Sequence, residues 1–346
     1  MSAERTVPPT WLLADVGGTN VRFAQAQVVA PAPLLVQSVR VYRVADFTSL
    51  SEAARLYLRA LAVNPRHAVF ALAGPVRGDT VQMTNHPWSI SRTQLQNDLG
   101  LESVHLVNDF AAVSMGLPLL QPADVLALGT APEVIHRQPK TQTFCVLGPG
   151  TGLGVSALLI RDTRIDALQT EGGHVGFSPT SPEEIAVLQQ LAKRFGRVSR
   201  ERVLSGGGLV NLHQALCAID QISASTLAPE HITERARQLA DSQCVRAVEM
   251  FCDILGSVAG DCALSFGAWD GVYLAGGMLA AFKPWLQQGR FRMRFDDKGR
   301  FADTVRRVPV ALITHAQPGL LGAASCAVLA SGNSPVRASQ ASSAKP

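Results

Sequence analysis

The chain has 346 residues, of which 47% are apolar and 17% are charged, with a net charge of +4 and six cysteines. The length predicts about two domains, and the composition excludes a disordered chain or a disulfide scaffold. The longest apolar stretches fall short of the ~20 residues of a membrane span, and residues 1–9 lack the apolar stretch of a secretory signal.

The cysteines and the arginines narrow the class of protein further. The cysteines are scattered with no pair two or three residues apart, which argues against a structural zinc or a redox pair. Reduced, buried thiols are typical of a cytoplasmic protein. The arginine clusters contain no interleaved aromatic residues, so a solvated basic face is favoured over a nucleic-acid interface.

Short apolar runs and glycine turns open the chain. Trp11–Val16 and Val21–Gln27 flank Gly17-Gly18, and this pattern predicts a β-hairpin. Apolar runs and helical spacing then predict, in chain order, a strand at Val36–Val44, a helix at Leu50–Ala62, a strand at Ala68–Ala73, a helix at Ser91–Leu99 and a strand at Val104–Val107.

The same strand, glycine turn and strand return in the middle of the chain. Phe144–Leu147 and Val155–Ile160 flank Gly148–Gly154, about 130 residues after the first turn. This repetition predicts an internally duplicated α/β fold. The chain is then expected to be mostly helical from Glu183 to Phe266, to form a strand at Val272–Leu274 that runs into Gly276-Gly277, and to end in a disordered tail at Ser331–Pro346.

The two glycine turns are candidates for binding phosphate. Glycine lets consecutive backbone amides approach an anion, and Thr19, Asn20 and Thr151 add side-chain donors. An ordinary hairpin is the alternative for each turn, but the pair together favours a phosphate clamp. Asp15 stands at a strand end beside the first turn, where it could hold Mg²⁺ or its waters, or simply cap the turn.

Polar residues at other predicted turns could hold and activate a hydroxyl group. Asp109 follows a buried strand and could accept a proton from a substrate alcohol, although it could also only cap a helix. Glu171 and His174, separated by two glycines, could grip neighbouring hydroxyls of a polyol, but a lone His is more often structural. Glu201 has no distinguishing signal of its own, and His86 is expected to be structural.

Two further groups of glycines could either contact the ligand or have a purely structural role. Gly206–Gly208 could be a third backbone approach to the ligand or merely the start of a helix. Gly276-Gly277 could contact an adenine or a ribose, or could serve close packing between a strand and a helix.

In combination, these motifs resemble the bacterial glucokinases of the hexokinase–actin–heat-shock ATPase superfamily. The similarity runs from about Leu12 to Gly322. The strings that carry it are Leu13–Asn20, Met83–His86, Val107–Phe110, Gly150–Gly154, Glu171–Val175, Glu201–Ser205, Leu274–Gly277 and Pro318–Gly322. The related repressor/open-reading-frame/kinase family normally adds a zinc-binding cysteine cluster after its Glu-x-x-His string, and this sequence does not.

The resemblance implies ATP-dependent phosphorylation of D-glucose at the 6-hydroxyl by a two-lobed, actin-like ATPase (ribonuclease H-like) fold. It implies domains at 1–119 plus 315–330 and at 120–314, and a homodimer in the cytoplasm. Asp109 would be the general base. Asn108, Asp109, Glu171, His174 and Glu201 would bind the sugar; Ala14, Asp15, Val16, Gly17, Gly18, Thr19, Asn20, Gly150, Thr151, Gly152, Gly276 and Gly277 would bind ATP; and Asp15 would hold Mg²⁺ through water.

Three other functions remain open at the level of the sequence. A kinase for another hexose would use the same groups with a different sugar preference. A non-catalytic sugar sensor would bind without turnover, and an actin- or chaperone-like ATPase would hydrolyse ATP without a sugar.

Overall fold

The computed structural model describes residues 10–83, 88–133, 135–137, 141–162 and 164–338. His86 lies outside these ranges. Within them no helix is both long enough and apolar enough to cross a bilayer. The strands are β1 Trp11–Val16, β2 Asn20–Ala26, β3 Leu34–Arg43, β4 His67–Leu72, β5 Thr80–Gln82, β6 Ser89–Ser91, β7 Ser103–Asn108, β8 Val125–Ala127, β9 His136–Arg137, β10 Gln142–Pro149, β11 Leu153–Arg161, β12 Arg164–Gln169, β13 Gly271–Leu274, β14 Val310–Ile313 and β15 Arg337–Ala338.

The helices follow the apolar periodicity of the sequence and its capping residues. Ser49 caps α1 and Ser91 caps α2, each accepting a hydrogen bond from a backbone N–H three residues on. The helices are α1 Leu50–Leu61, α2 Arg92–Leu99, α3 Asp109–Gly116, α4 Pro182–Phe195, α5 Gly206–Ile219, α6 Pro229–Arg237, α7 Ser242–Phe266, α8 Leu279–Gln287, α9 Arg290–Asp296, α10 Ala302–Val305 and α11 Pro318–Ala330.

Two large mixed sheets carry the fold, and their strand orders correspond. The first is β3-β2-β1-β4-β7 and the second is β12-β11-β10-β13-β14-β8. In each sheet an antiparallel hairpin (β1–β2 or β10–β11) is extended by parallel strands (β4 and β7, or β13 and β14). The predicted hairpins on either side of the two glycine turns are therefore confirmed.

Strand β1 is buried on both faces. Trp11 and Leu13 belong to the core that also contains α11, whereas Leu12, Ala14 and Val16 face the core beneath α1. A continuous apolar run is what a central strand of such a sheet requires.

Helices α3 and α11 lie between the two sheets and contact both each other and strands on either side. Their crossing is close: a Cβ at Gly322 would lie 1.7 Å from the carbonyl oxygen of Ala112. Glycine is required there because any side chain would push the helices apart. Since α3 begins at Asp109, this crossing fixes the position of that carboxylate.

The prediction of a disordered tail at Ser331–Pro346 is wrong for residues 331–338. Residues 331–338 are described, Val336 is buried, and Arg337–Ala338 pairs in parallel with His136–Arg137. Burial of an apolar side chain and a backbone pairing hold this segment to the body of the protein. Residues 339–346 lie outside the described part of the chain.

Candidate active site

An open cleft of about 360 Å³ brings together most of the predicted site residues. Its walls are formed by the two glycine turns and by the ends of β7 and β12. The predicted residues that line it are Gly17, Gly18, Thr19, Asn108, Asp109, Gly150, Thr151, Gly152, Glu171, His174, Glu201 and Gly276.

Five predicted residues do not line this cleft. Ala14 and Val16 are fully buried in β1, where sheet packing occupies their side chains. Asn20 begins β2, and its carbonyl accepts the Gly17 N–H. Asp15 and Gly277 line an adjoining cavity, which meets the cleft at Gly276.

Asp109 is the first residue of α3 and lies at the bottom of the cleft, partly exposed. Its Oδ1 accepts hydrogen bonds from Asn108 Nδ2 at 2.9 Å and from the Phe110 N–H at 2.9 Å. Burial raises the pKa of Asp109 to about 7, opposed by the Phe110 hydrogen bond and supported by the charges of Asp15 and Glu171. A carboxyl group with this pKa can exchange a proton near neutral pH.

Asn108 is buried and is engaged by its neighbours. Its Oδ1 accepts the Ala111 N–H and caps α3, while its Nδ2 donates to the Gly74 carbonyl at 3.1 Å and to Asp109. These contacts use both N–H groups of the amide. Asn108 therefore orients Asp109 in this structure, and its direct contact with a sugar stays a prediction.

Glu171 precedes a single turn of 3-10 helix, Gly172–His174, and His174 is the last residue of that turn. The ring Nε2 lies 3.9 Å from the Glu171 carboxylate, and the two side chains are 59% and 58% exposed. The turn sits against β11, because a Cβ at Gly173 would lie 2.1 Å from the Leu153 carbonyl oxygen. This close backbone approach explains why residue 173 is a glycine. The resulting position of the turn lets the side chains of Glu171 and His174 line the cleft.

Glu201 lines the cleft and contacts the second glycine turn. Its Oε2 accepts the Leu153 N–H at 3.0 Å and lies 2.4 Å from where a Cβ of Gly152 would stand. Sequence spacing gave this residue no signal, because the contact joins positions 48 residues apart. The structure brings its carboxylate to the cleft on the 3-10 turn Arg200–Arg202.

The glycine turns use some of their own backbone donors. Gly17 N–H donates to the Asn20 carbonyl, and Gly150 N–H donates to the Gly152 carbonyl at 2.7 Å. These two amides are therefore committed to closing the turns rather than to binding an anion. Gly206 does approach the second turn, since its N–H donates to the Gly150 carbonyl as α5 begins.

Asp15 provides the hard oxygen donor that a magnesium ion prefers. Its carboxylate is 22% exposed and lies 3.5 Å from Arg22 Nη1. Burial raises the pKa of Asp15, and Arg22 opposes that rise. Among the described residues this carboxylate has one cationic partner, and it lines the adjoining cavity, an arrangement that fits a hydrated cation.

Sequence reasoning missed several residues of the cleft, among them Phe110 and Thr170. The Phe110 ring fills the space over Gly154, where a Cβ would lie 1.9 Å from a ring carbon. Thr170 Oγ1 donates to the Val155 carbonyl and accepts the Gly172 N–H, which fixes the turn before His174. Neither role has a sequence signal beyond adjacency to Asp109 and Glu171.

The two mixed sheets, with glycine turns facing a common cleft, define a protein of the actin-like ATPase type. Comparison with known proteins then identifies the family. A family model described as Glucokinase matches residues 12–330, and the chain belongs to the glucokinase family.

Individual relatives agree with this assignment. The chain is 47% identical to the glucokinase of Stenotrophomonas maltophilia (strain K279a) over 324 residues, 94% of this chain and 96% of that protein. A crystal structure of glucokinase from an Antarctic psychrotroph superposes with a TM-score of 0.82 and 32% identity, covering 92% of this chain and 98% of that one. The fold is also similar to that of Balamuthia mandrillaris glucokinase in complex with glucose, with a TM-score of 0.76, 22% identity, and coverage of 93% and 94%.

Proposed function

We propose that this protein transfers the γ-phosphoryl group of Mg·ATP to the 6-hydroxyl of D-glucose. The observation that carries the proposal is the convergence of Asp109, Glu171, His174 and Glu201 with both glycine turns in one cleft. Membership of the glucokinase family supports the same reaction. Phosphoryl transfer chiefly requires alignment and charge stabilisation, which such a cleft supplies.

Asp109 acts as the general base of this reaction. Oδ1 is held by Asn108 and Phe110, which leaves Oδ2 to take the proton of the sugar hydroxyl. Its pKa of about 7 lets the group be ionised before transfer and protonated during it.

Glu171, His174 and Glu201 bind the remaining sugar hydroxyls. Each offers hydrogen-bonding groups to the cleft, and a sugar with an inverted hydroxyl would leave one of them unpaired. Asn108 contributes by orienting Asp109, and a sugar contact would require its amide to leave Gly74. Closure of the two lobes would exclude water as a competing phosphoryl acceptor.

The triphosphate of ATP lies between the glycine turns. The amides of Gly18 and Gly152 and the side chains of Thr19 and Thr151 are the donors we assign to it. The Gly276-Gly277 segment contacts the nucleoside, at the point where the cleft meets the adjoining cavity. Asp15 would hold the waters of the Mg²⁺ ion that accompanies ATP, and that ion would supply neutralisation of phosphate charge.

The two lobes are repeats of one α/β unit of the ribonuclease H-like type. The corresponding strand orders of the two large sheets support this proposal. The small domain comprises 1–119 plus 315–330, because α11 packs on β1 and β4. The large domain comprises 120–314, which contains the whole second sheet.

The protein works as a homodimer in the cytoplasm. Six free cysteines, five of them buried, suit a reducing compartment. The dimer comes from the family resemblance, and sedimentation equilibrium tests it: a single species at the monomer mass would refute it.

A sugar panel tests the reaction itself. Release of ADP from Mg·ATP is measured with glucose, mannose, fructose, N-acetylglucosamine and no sugar. A response to glucose well above that to the other sugars is expected. A stronger response to another hexose would reassign the substrate, equal turnover without sugar would indicate an ATPase, and silence with every sugar would indicate a sensor.

A further inference from the structure

A second cluster of polar side chains lies in the helical layer of the second lobe and shares no residue with the cleft. It contains His213 on α5 together with Asp241 and Cys244 at the start of α7. One ring nitrogen, one carboxylate oxygen and the thiol sulfur all lie within 4.8 Å of one another.

His213 is 2% exposed, and its Nδ1 has no hydrogen-bond partner among the described residues. Its Nε2 lies 3.8 Å from the Cys217 sulfur, one helical turn further along α5. A buried polar atom without a partner costs about 1–3 kcal/mol, and a bound ion is one way to satisfy it.

Asp241 has one carboxylate oxygen to spare. Its Oδ1 accepts the N–H groups of Gln243 and Cys244 and caps α7. The other oxygen, Oδ2, lies 3.8 Å from Arg235, whose side chain is 46% exposed and can turn into solvent. The cap therefore holds the carboxylate in place without consuming both of its oxygens.

We propose that His213, Asp241 and Cys244 bind a structural Zn²⁺ ion, with a water molecule as the fourth ligand. Imidazole, thiolate and carboxylate are the donors that zinc takes in proteins. Zn²⁺, one thiolate and one carboxylate sum to zero charge, so the filled site would bury no net charge. Tetrahedral zinc separates its ligand atoms by roughly 3.3–3.8 Å, given bonds of ~2.0–2.3 Å, so the cluster must contract by about 1 Å.

This site escapes detection from spacing because its ligands come from two helices. His213 lies on α5, whereas Asp241 and Cys244 are three residues apart at the start of α7. This spacing places Asp241 and Cys244 on one face of their helix. The metal would tie α5, which begins beside the Gly150 carbonyl, to the long buried helix α7.

Titration of the metal-free full-length protein with Co²⁺ tests the proposal, because cobalt replaces zinc and absorbs light. We expect one equivalent to give a thiolate-to-cobalt charge-transfer band and tetrahedral d–d bands, both abolished by added Zn²⁺. Cys244→Ala should lose the charge-transfer band, whereas Cys252→Ala, a buried cysteine elsewhere on α7, should keep it.

Asp241→Asn guards against a folding artefact, because asparagine caps a helix nearly as well as aspartate. We expect this variant to keep the wild-type circular dichroism and to bind Co²⁺ at least about tenfold more weakly. Zinc should also raise the Tm of the wild type and of Cys252→Ala but not that of Cys244→Ala. No stoichiometric band in the wild type, or equal binding by Asp241→Asn, would overturn the proposal.

Discussion

At the bottom of the cleft, Asp109 serves both the fold and the proposed chemistry. It is the first residue of α3, and its Oδ1 is held by Asn108 and by the Phe110 backbone. These contacts fix one carboxylate oxygen and so orient the other. A small change to this side chain should therefore separate binding from turnover.

Asp109→Asn should lower kcat by roughly 10²–10⁴ and leave the KM for glucose within a few fold of the wild type. The amide has the size of the carboxylate, and its oxygen can accept the same two hydrogen bonds, but it cannot accept the proton of the sugar hydroxyl. Steady-state kinetics across glucose and ATP concentrations measure both parameters. Asp166→Asn, an exposed aspartate on β12, is the matched control, and full activity in Asp109→Asn would remove the general-base assignment.

The raised pKa of Asp109 predicts the pH dependence of kcat/KM. Because the base must be ionised, activity should fall as the pH decreases through about 7, the pKa of this carboxyl. The Glu171 charge helps to raise that pKa, so Glu171→Gln should move the acid limb to lower pH. A limb that stays near 7 in Glu171→Gln, or that lies near the ordinary Asp value in the wild type, would contradict this account.

At the scale of elements, the second glycine turn depends on a side chain from another segment. Glu201 accepts the Leu153 N–H from the 3-10 turn that precedes α5, and α5 itself begins with Gly206 donating to Gly150. The turn proposed to hold phosphate is thus braced by a residue proposed to bind sugar. This bracing predicts that one substitution affects both substrates.

Glu201→Ala should raise the KM for ATP as well as the KM for glucose. Loss of the Glu201 carboxylate leaves the Leu153 N–H without an acceptor and opens space beside Gly152, and both changes loosen the second glycine turn. Initial rates with each substrate varied at saturation of the other would measure both effects. Glu230→Ala, on α6, is the control, and an unchanged KM for ATP would show that the two sides of the cleft are independent.

The strands around both glycine turns were predictable because their apolar runs must be buried on both faces. The strand ends that carry Asp109 and Gly276 were predictable for the same reason. The α3–α11 crossing was not, and only the family resemblance assigned Glu201 to the site, because both features depend on contacts between distant segments. Ala14 and Val16 were assigned to the site by their motif, but β1 is buried on both faces and their side chains pack in the core. A motif therefore locates a turn more reliably than it selects the side chains that line a cleft.

For the whole molecule, the open cleft lies between two sheets that are separated by α3 and α11. The exposed Glu171 and His174 follow β12 of the second sheet, whereas Asp109 begins the helix between the sheets. We expect a sugar that contacts all three to draw these parts closer together. Substrate binding should therefore change the overall shape.

Saturating glucose should lower the radius of gyration measured by small-angle X-ray scattering, since burying the sugar brings the lobes closer. Asp109→Asn should contract as the wild type does, because it retains sugar binding and loses only proton transfer. His174→Ala should need more glucose for the same contraction, because it lacks one of the side chains proposed to hydrogen-bond the sugar hydroxyls. A radius of gyration that stays constant when glucose binding is demonstrated by calorimetry would mean that the cleft is already in its working geometry.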